Sequence, residues 1–334
     1  MTLSRARPLI AAVLSLAAAV PSGPQEKTVT DDVGNVFVLG ATPRRIVSLA
    51  PNITEILFAL GLGENIVGVT RYCDYPPQAL IKEKIGGFID PDVERIKALD
   101  PDLVIAYRGN PWDVLNRLAA LRLRVFILDI GTRIEAVPHA VEKIGSITCR
   151  VAEAGRLIQA ISGKYQKDIE ALTPATARPR VFLNLQGMGL MTCGRPSYLH
   201  DLLERAKGEN IAGRFGQQWL EYSREKFIED DPEIIVILSK SESDFERARD
   251  WYKSQPGFES VRAVKSGRIY HLDENSASRF GPRLYDAFAA LARLIHPEQF
   301  RNSVTDNFSL PKIGLTRKVI LSTPTGHLSE MELW

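Results

Sequence analysis

The sequence is poor in cysteine: Cys73, Cys149 and Cys193 are the only three in 334 residues, and no CxxC spacing occurs. A cysteine zinc site is thereby excluded, and three thiols cannot all pair within one chain. One disulfide stays open in an oxidising compartment, but buried free thiols are the expectation. A surplus of one charge sign is missing too. Forty-two Lys and Arg against 40 Asp and Glu leave a net charge of +2. That balance builds no basic face, so no nucleic-acid partner is expected. Catalytic signatures are also lacking. There is no GxSxG elbow, no P-loop and no GxGxxG after a strand, since Gly187-Met188-Gly189 lacks its third glycine. His139, His200, His271, His296 and His327 are scattered and form no HxxxH pair, so no metal centre and no resident cofactor is expected. An enzyme is not indicated.

Long apolar runs are scarce. One stands at the start, where Arg5 and Arg7 precede Leu9–Val20 and small residues follow: Ala17 to Ala19, Ser22 and Gly23. This is the pattern of a signal peptide over residues 1–23. The run falls short of the roughly 20 residues of a membrane span, and no later one reaches that length. No cysteine follows it closely, because the first is Cys73. A lipid anchor is therefore not expected, and free export to the periplasm is.

What is present is alternation. Short β-branched runs at 45–50, 66–70, 103–107 and 125–128 are separated by helical spacing at 53–62, 93–99 and 114–121. This predicts a parallel α/β lobe over 24–138. Residues 139–172 carry Ala, Glu, Lys, Ile and Gln with no proline, and predict one long helix. A break follows at Thr173–Pro179. Alternation then restarts, predicting a second α/β lobe over 173–310, with residues 311–334 as an appended tail. The lobes share a segment: Glu94-RIKALDP-Asp102-LVI and Glu225-KFIEDDP-Glu233-IIVI. Each glutamate precedes its proline by the same spacing and follows a candidate N-cap, Asp92 or Ser223. Internal duplication explains the match.

The stretches RIVSLAPNITEILFALG, RYCDYPPQA, DVERIKALDPDLVIAYRG, RVFLNL, KGENI, SREKF and FGPRLYDAFAALARLIHPE, in this order, resemble the periplasmic cobalamin-binding proteins. These belong to the helical-backbone binding proteins of ABC importers, whose relatives carry ferric siderophores and haem. The resemblance spans about residues 28 to 300. It implies two Rossmann-like lobes joined by one rigid helix, a nearly preformed cleft between them, and a monomer that delivers a corrinoid to the importer's membrane subunits.

A corrinoid is a wide, largely apolar macrocycle edged with amides, so its cleft needs aromatic faces and a few polar groups. The resemblance places Tyr72, Phe88 and Tyr107 in the first lobe and Met191 and Trp219 in the second as faces. It places Asn52, Arg108, Asn275 and Arg279 as hydrogen-bonding groups. Phe88 stands where family members often have tryptophan, and Asn275 where some have an acid. Glu94 and Glu225 match the acidic residues that dock onto arginines of the paired membrane subunits. Alone, each would also suit a first helical turn. The alternative ligand is a ferric siderophore, met by Arg71, Arg108 and Arg279, or a haem with Tyr72 or Tyr107 as axial group. A cleft enzyme such as a chelatase is the more remote alternative.

Overall fold

The computed structural model describes residues 27–129 and 131–300. The expected signal peptide and the 311–334 tail lie outside them. A small antiparallel hairpin, β1 (Thr28–Thr30) and β2 (Val36–Val38), opens the chain. Asp31 ties it to the first lobe: its carboxylate accepts from Val33, Asn35 and, further along the chain, Ile127 N–H groups.

The first lobe follows the predicted alternation. Its elements are β3 (Ile46–Ser48), α1 (Pro51–Ala59), β4 (Ile66–Val69), α2 (Val93–Ala98), β5 (Leu103–Tyr107), α3 (Trp112–Ala120) and β6 (Val125–Leu128). Pro51 opens α1, where its missing N–H costs nothing and its fixed φ suits the first turn. The strands form one parallel sheet in the order β4-β3-β5-β6. Strand β5 is buried along almost its whole length, as a sheet covered on both faces requires.

The linker departs from expectation. In place of one helix over 139–172 there are two, α4 (Ala136–Ile147) and α5 (Val151–Leu172). Three local events end α4. Thr148 Oγ1 donates back to the Ile144 carbonyl at 2.6 Å. Cys149 takes a left-handed φ of 58°. The Arg150 N–H then returns to the Gly145 carbonyl at 2.6 Å. Gly145 also lets the two helices cross closely, since a Cβ there would stand 2.4 Å from the Ala154 Cβ. Helix α5, with 22 residues and roughly 33 Å long, is the link between lobes.

The second lobe contains β7 (Arg180–Asn184), β8 (Met191–Cys193), α6 (Tyr198–Arg205), β9 (Glu209–Asn210), β10 (Trp219–Glu221), α7 (Arg224–Asp230), β11 (Ile234–Ser239), α8 (Glu242–Ser254), α9 (Arg262–Lys265), β12 (Ile269–Asp273), α10 (Glu274–Ser278) and α11 (Leu284–Ile295). Its parallel sheet runs β12-β11-β7-β9, and β8 with β10 forms an antiparallel ribbon beside it. In both lobes the second parallel strand lies on one side of the first, and the third and fourth lie on the other. The two lobes have the same topology.

The duplicated segment is built alike in both. Asp100 and Asp231 end α2 and α7 in left-handed conformations, φ 45° and 40°, just before Pro101 and Pro232. Beyond each proline an acid braces the lobe's first strand. Asp102 accepts from the Arg44 and Arg45 N–H groups, and Glu233 from the Arg180 N–H. A continuous apolar core runs from the first lobe through α4, α5 and α11 into the second. Two further clusters fill the far faces of the sheets, around Leu115 and Leu118 in one and Phe227 and Tyr252 in the other. The α/β fold of two linked lobes is the expected one.

Candidate ligand cleft

Ligand sites of parallel sheets form at the carboxyl ends of the strands. Here those ends face each other across the lobes. Helix α1, which follows β3, and the loop after β4 meet the segment after β12. The Asn52 amide donates to the Phe280 carbonyl at 3.2 Å. Glu55, almost fully buried on α1, takes Arg283 with both oxygens, at 3.0 and 2.6 Å. Asp74 takes Arg279 with both oxygens. Burial pushes the Glu55 carboxyl above its ordinary range despite the two arginines beside it. The hydrogen bonds from Arg279 hold the Asp74 carboxyl below its own. The Tyr75 ring lies 3.9 Å from the Arg283 guanidinium carbon, in cation–π position.

The aromatic residues divide into two groups. In the first lobe Phe88 and Tyr107 pack with ring centres 5.8 Å apart. Asn110, fully buried, fixes this pair. Its amide donates to the Phe88 and Leu49 carbonyls, and its oxygen accepts from the Tyr107 N–H at 2.8 Å. Gly109 is required there, because a Cβ would come within 2.5 Å of the Tyr107 ring. In the second lobe Tyr198 joins two rings edge-on, Trp219 at 6.2 Å and Phe280 at 5.2 Å. Burial raises the Tyr198 phenol well above its usual value, with Cys193 and, across the cleft, Tyr107 adding to it.

The residues expected from the sequence are thus partly assembled. Phe88 and Tyr107 form one aromatic face, and Trp219 contributes to the other. Tyr72 is half exposed, with Arg71 over its ring. Met191, on β8, pairs with Glu221 on the ribbon. The expected polar set is mostly engaged within the protein. Asn52 ties the lobes, Arg108 pairs with Asp129 at 2.7 Å, and Arg279 is held by Asp74 and by the Asn275 oxygen at 2.9 Å. Among the described residues no hydrogen-bond acceptor meets the Asn275 amide nitrogen. Glu55, Asp74, Asn110, Tyr198, Phe280 and Arg283 were not singled out from the sequence. All but Asn110 and Tyr198 lie inside the stretches that carry the family resemblance.

Glu94 and Glu225 lie at equivalent positions of α2 and α7, second in each helix. The caps are the expected ones: Asp92 accepts from the Arg95 N–H and Ser223 from the Lys226 N–H. Both glutamates are exposed, and among the described residues neither forms an ion pair. Cys73 and Cys193 are buried free thiols, but Cys149 is exposed, because the left-handed turn between α4 and α5 places it at the surface. Among the described residues no three His, Cys, Asp or Glu side chains gather as for a metal ion. The four described histidines have local partners; His139, for example, meets Asp32 at 3.1 Å.

Two parallel sheets of one topology, joined by a single helix and opposing their carboxyl ends across a cleft, define a substrate-binding protein of the ABC-importer type. The chain belongs to the periplasmic binding protein family, which it matches over residues 46–276. It is 29% identical over 272 residues to a vitamin B12-binding protein of Photorhabdus laumondii, covering 81% of this chain and 91% of that one. Among solved structures it resembles the periplasmic heme-binding protein RhuT from Roseiflexus, at 26% identity and a TM-score of 0.68, covering 78% of this chain and all of that one. The vitamin B12-binding protein BtuF of Vibrio cholerae shares its fold at 24% identity and the same TM-score of 0.68, over 78% of this chain and 99% of that one. Each of these relatives is named as a binding protein.

Proposed function

We propose that the protein is exported to the periplasm, binds a corrinoid of the cobalamin type between its lobes, and presents it to the membrane subunits of an ABC importer. One observation supports the ligand above others: each of the three arginines offered to an anionic ligand, Arg71, Arg108 and Arg279, has its own aspartate. Arg71 pairs with Asp90, Arg108 with Asp129 and Arg279 with Asp74. A ferric siderophore or haem brings carboxylates or other anionic groups that need free guanidinium groups. A cleft with its cations already matched, and with Phe88, Tyr107, Tyr198 and Trp219 as faces, suits a macrocycle rimmed by uncharged amides. The Asn275 amide supplies a donor for such a rim.

Delivery is supported by the repeat. Its left-handed aspartate, its proline and its bracing acid all have structural work inside each lobe. The exposed glutamate at the second position of α2 and α7 has none beyond the helix dipole. One free carboxylate per lobe, at equivalent positions, matches a twofold pair of membrane subunits.

Titration of the protein with cyanocobalamin, followed by calorimetry, tests the ligand. The expected dissociation constant lies at roughly nanomolar to micromolar, as for a large preformed apolar cleft. Absence of heat with cyanocobalamin, together with tight binding of haemin or a ferric siderophore, would reject the corrinoid reading.

A further inference from the structure

Among the three arginine–aspartate pairs, one differs in kind. Arg71–Asp90 and Arg108–Asp129 each lie within one lobe and are largely exposed. Arg279–Asp74 crosses between lobes. The Arg279 side chain is only 12% exposed and the Asp74 side chain is 43% exposed. Three residues surround this guanidinium with oxygens: Asp74 with both of its own, Asn275 with its amide oxygen at 2.9 Å, and Glu55, shared with Arg283, at 3.8 Å. Phe280, next in sequence, packs on Tyr198 of the second aromatic group.

Resting on the corrinoid reading, we propose that Asp74 is a specificity-determining residue: by occupying Arg279 it excludes macrocycles that carry carboxylates and leaves the cleft selective for uncharged, amide-rimmed ones. The physical reason lies in the partly buried position. There a guanidinium contributes most to binding an anion, and a carboxylate already seated on it makes a second carboxylate a like-charge neighbour. An amide edge meets neither penalty, because it needs no cation and Asn275 offers a neutral donor nearby. Glu55 cannot take over this task. It is buried and committed to Arg283, whereas Asp74 is the more exposed member of its pair, in a segment where Tyr72 and Tyr75 are exposed too.

The test compares the full chain with Asp74→Asn and with Asp74→Asn combined with Arg279→Gln. Haemin, a macrocycle with two carboxylates, and cyanocobalamin are the probes, and thermal melts establish that each variant folds. Asp74→Ser replaces Asp74→Asn should that variant fail to fold. Freeing the guanidinium is expected to tighten haemin binding by about tenfold, with cyanocobalamin affinity changed much less, and the second substitution is expected to abolish the gain. Unchanged haemin affinity in folded Asp74→Asn overturns the proposal, as does a gain that survives the loss of Arg279. A wild-type protein that binds no cyanocobalamin rejects the corrinoid reading instead, while the haemin comparison still decides the role of Asp74.

Discussion

Glu55 shows how much one side chain can carry across the fold. It lies on a first-lobe helix, is almost fully buried, and holds Arg283 from the second lobe with both oxygens. Removing one partner of a buried ion pair leaves the other charge uncompensated. Glu55→Ala is therefore expected to lower stability by about 3–5 kcal/mol in urea unfolding. A double change to apolar residues, Glu55→Met with Arg283→Leu, should recover most of that loss. If the single and double variants are equally destabilised, the packing around the pair and not its charge is what matters. From the sequence, Glu55 reads as one more polar residue in an amphipathic helix. Its importance comes from Arg283, which lies 228 positions away, and no local pattern encodes such a pairing. The candidate arginines were legible as charges for the same reason that their aspartates were not: residue type is local, pairing is tertiary.

At the scale of elements, hydrophobic alternation placed all four strands of the first parallel sheet. Strands β5 and β6 have the expected bounds of 103–107 and 125–128. What escaped are short pieces that tertiary contacts define: the opening hairpin and the β8–β10 ribbon, each strand only three residues long. The linker escaped differently. Its composition is helical throughout, so the break at Thr148–Arg150 depends on a side chain returning to the backbone and on one residue with positive φ. A non-glycine residue in that conformation carries strain that glycine does not. Cys149→Gly is expected to stabilise the protein by about 0.5–1 kcal/mol, read as a raised melting temperature. A lower melting temperature would mean that the Cys149 contact with the Gly40 carbonyl outweighs the strain. The repeat around Glu94 and Glu225, in contrast, was fully legible, since both its caps and its spacing are local.

On the scale of the whole molecule, two sets of contacts stand out among those that hold the lobes together. One is the α5 helix with α11 packed along it, where Tyr165 meets Tyr285 and Phe288. The other is the set of contacts from Asn52, Glu55 and Asp74 to the segment after β12. A helical link braced in this way resists the bending that loop hinges permit. Glu94 and Glu225 should then keep a nearly fixed separation whether or not ligand is present. Glu94→Ala with Glu225→Ala is expected to leave ligand affinity unchanged and to lower uptake in a reconstituted importer. Normal uptake by that double variant would refute the docking assignment.

Of the three thiols, burial raises Cys73 and pushes Cys193 up to about 12, while Cys149 stands at the surface where α5 begins. Only the thiolate reacts readily. The native chain therefore offers a maleimide dye a single point of attachment, at the end of the linking helix and away from the cleft, with no engineered cysteine needed.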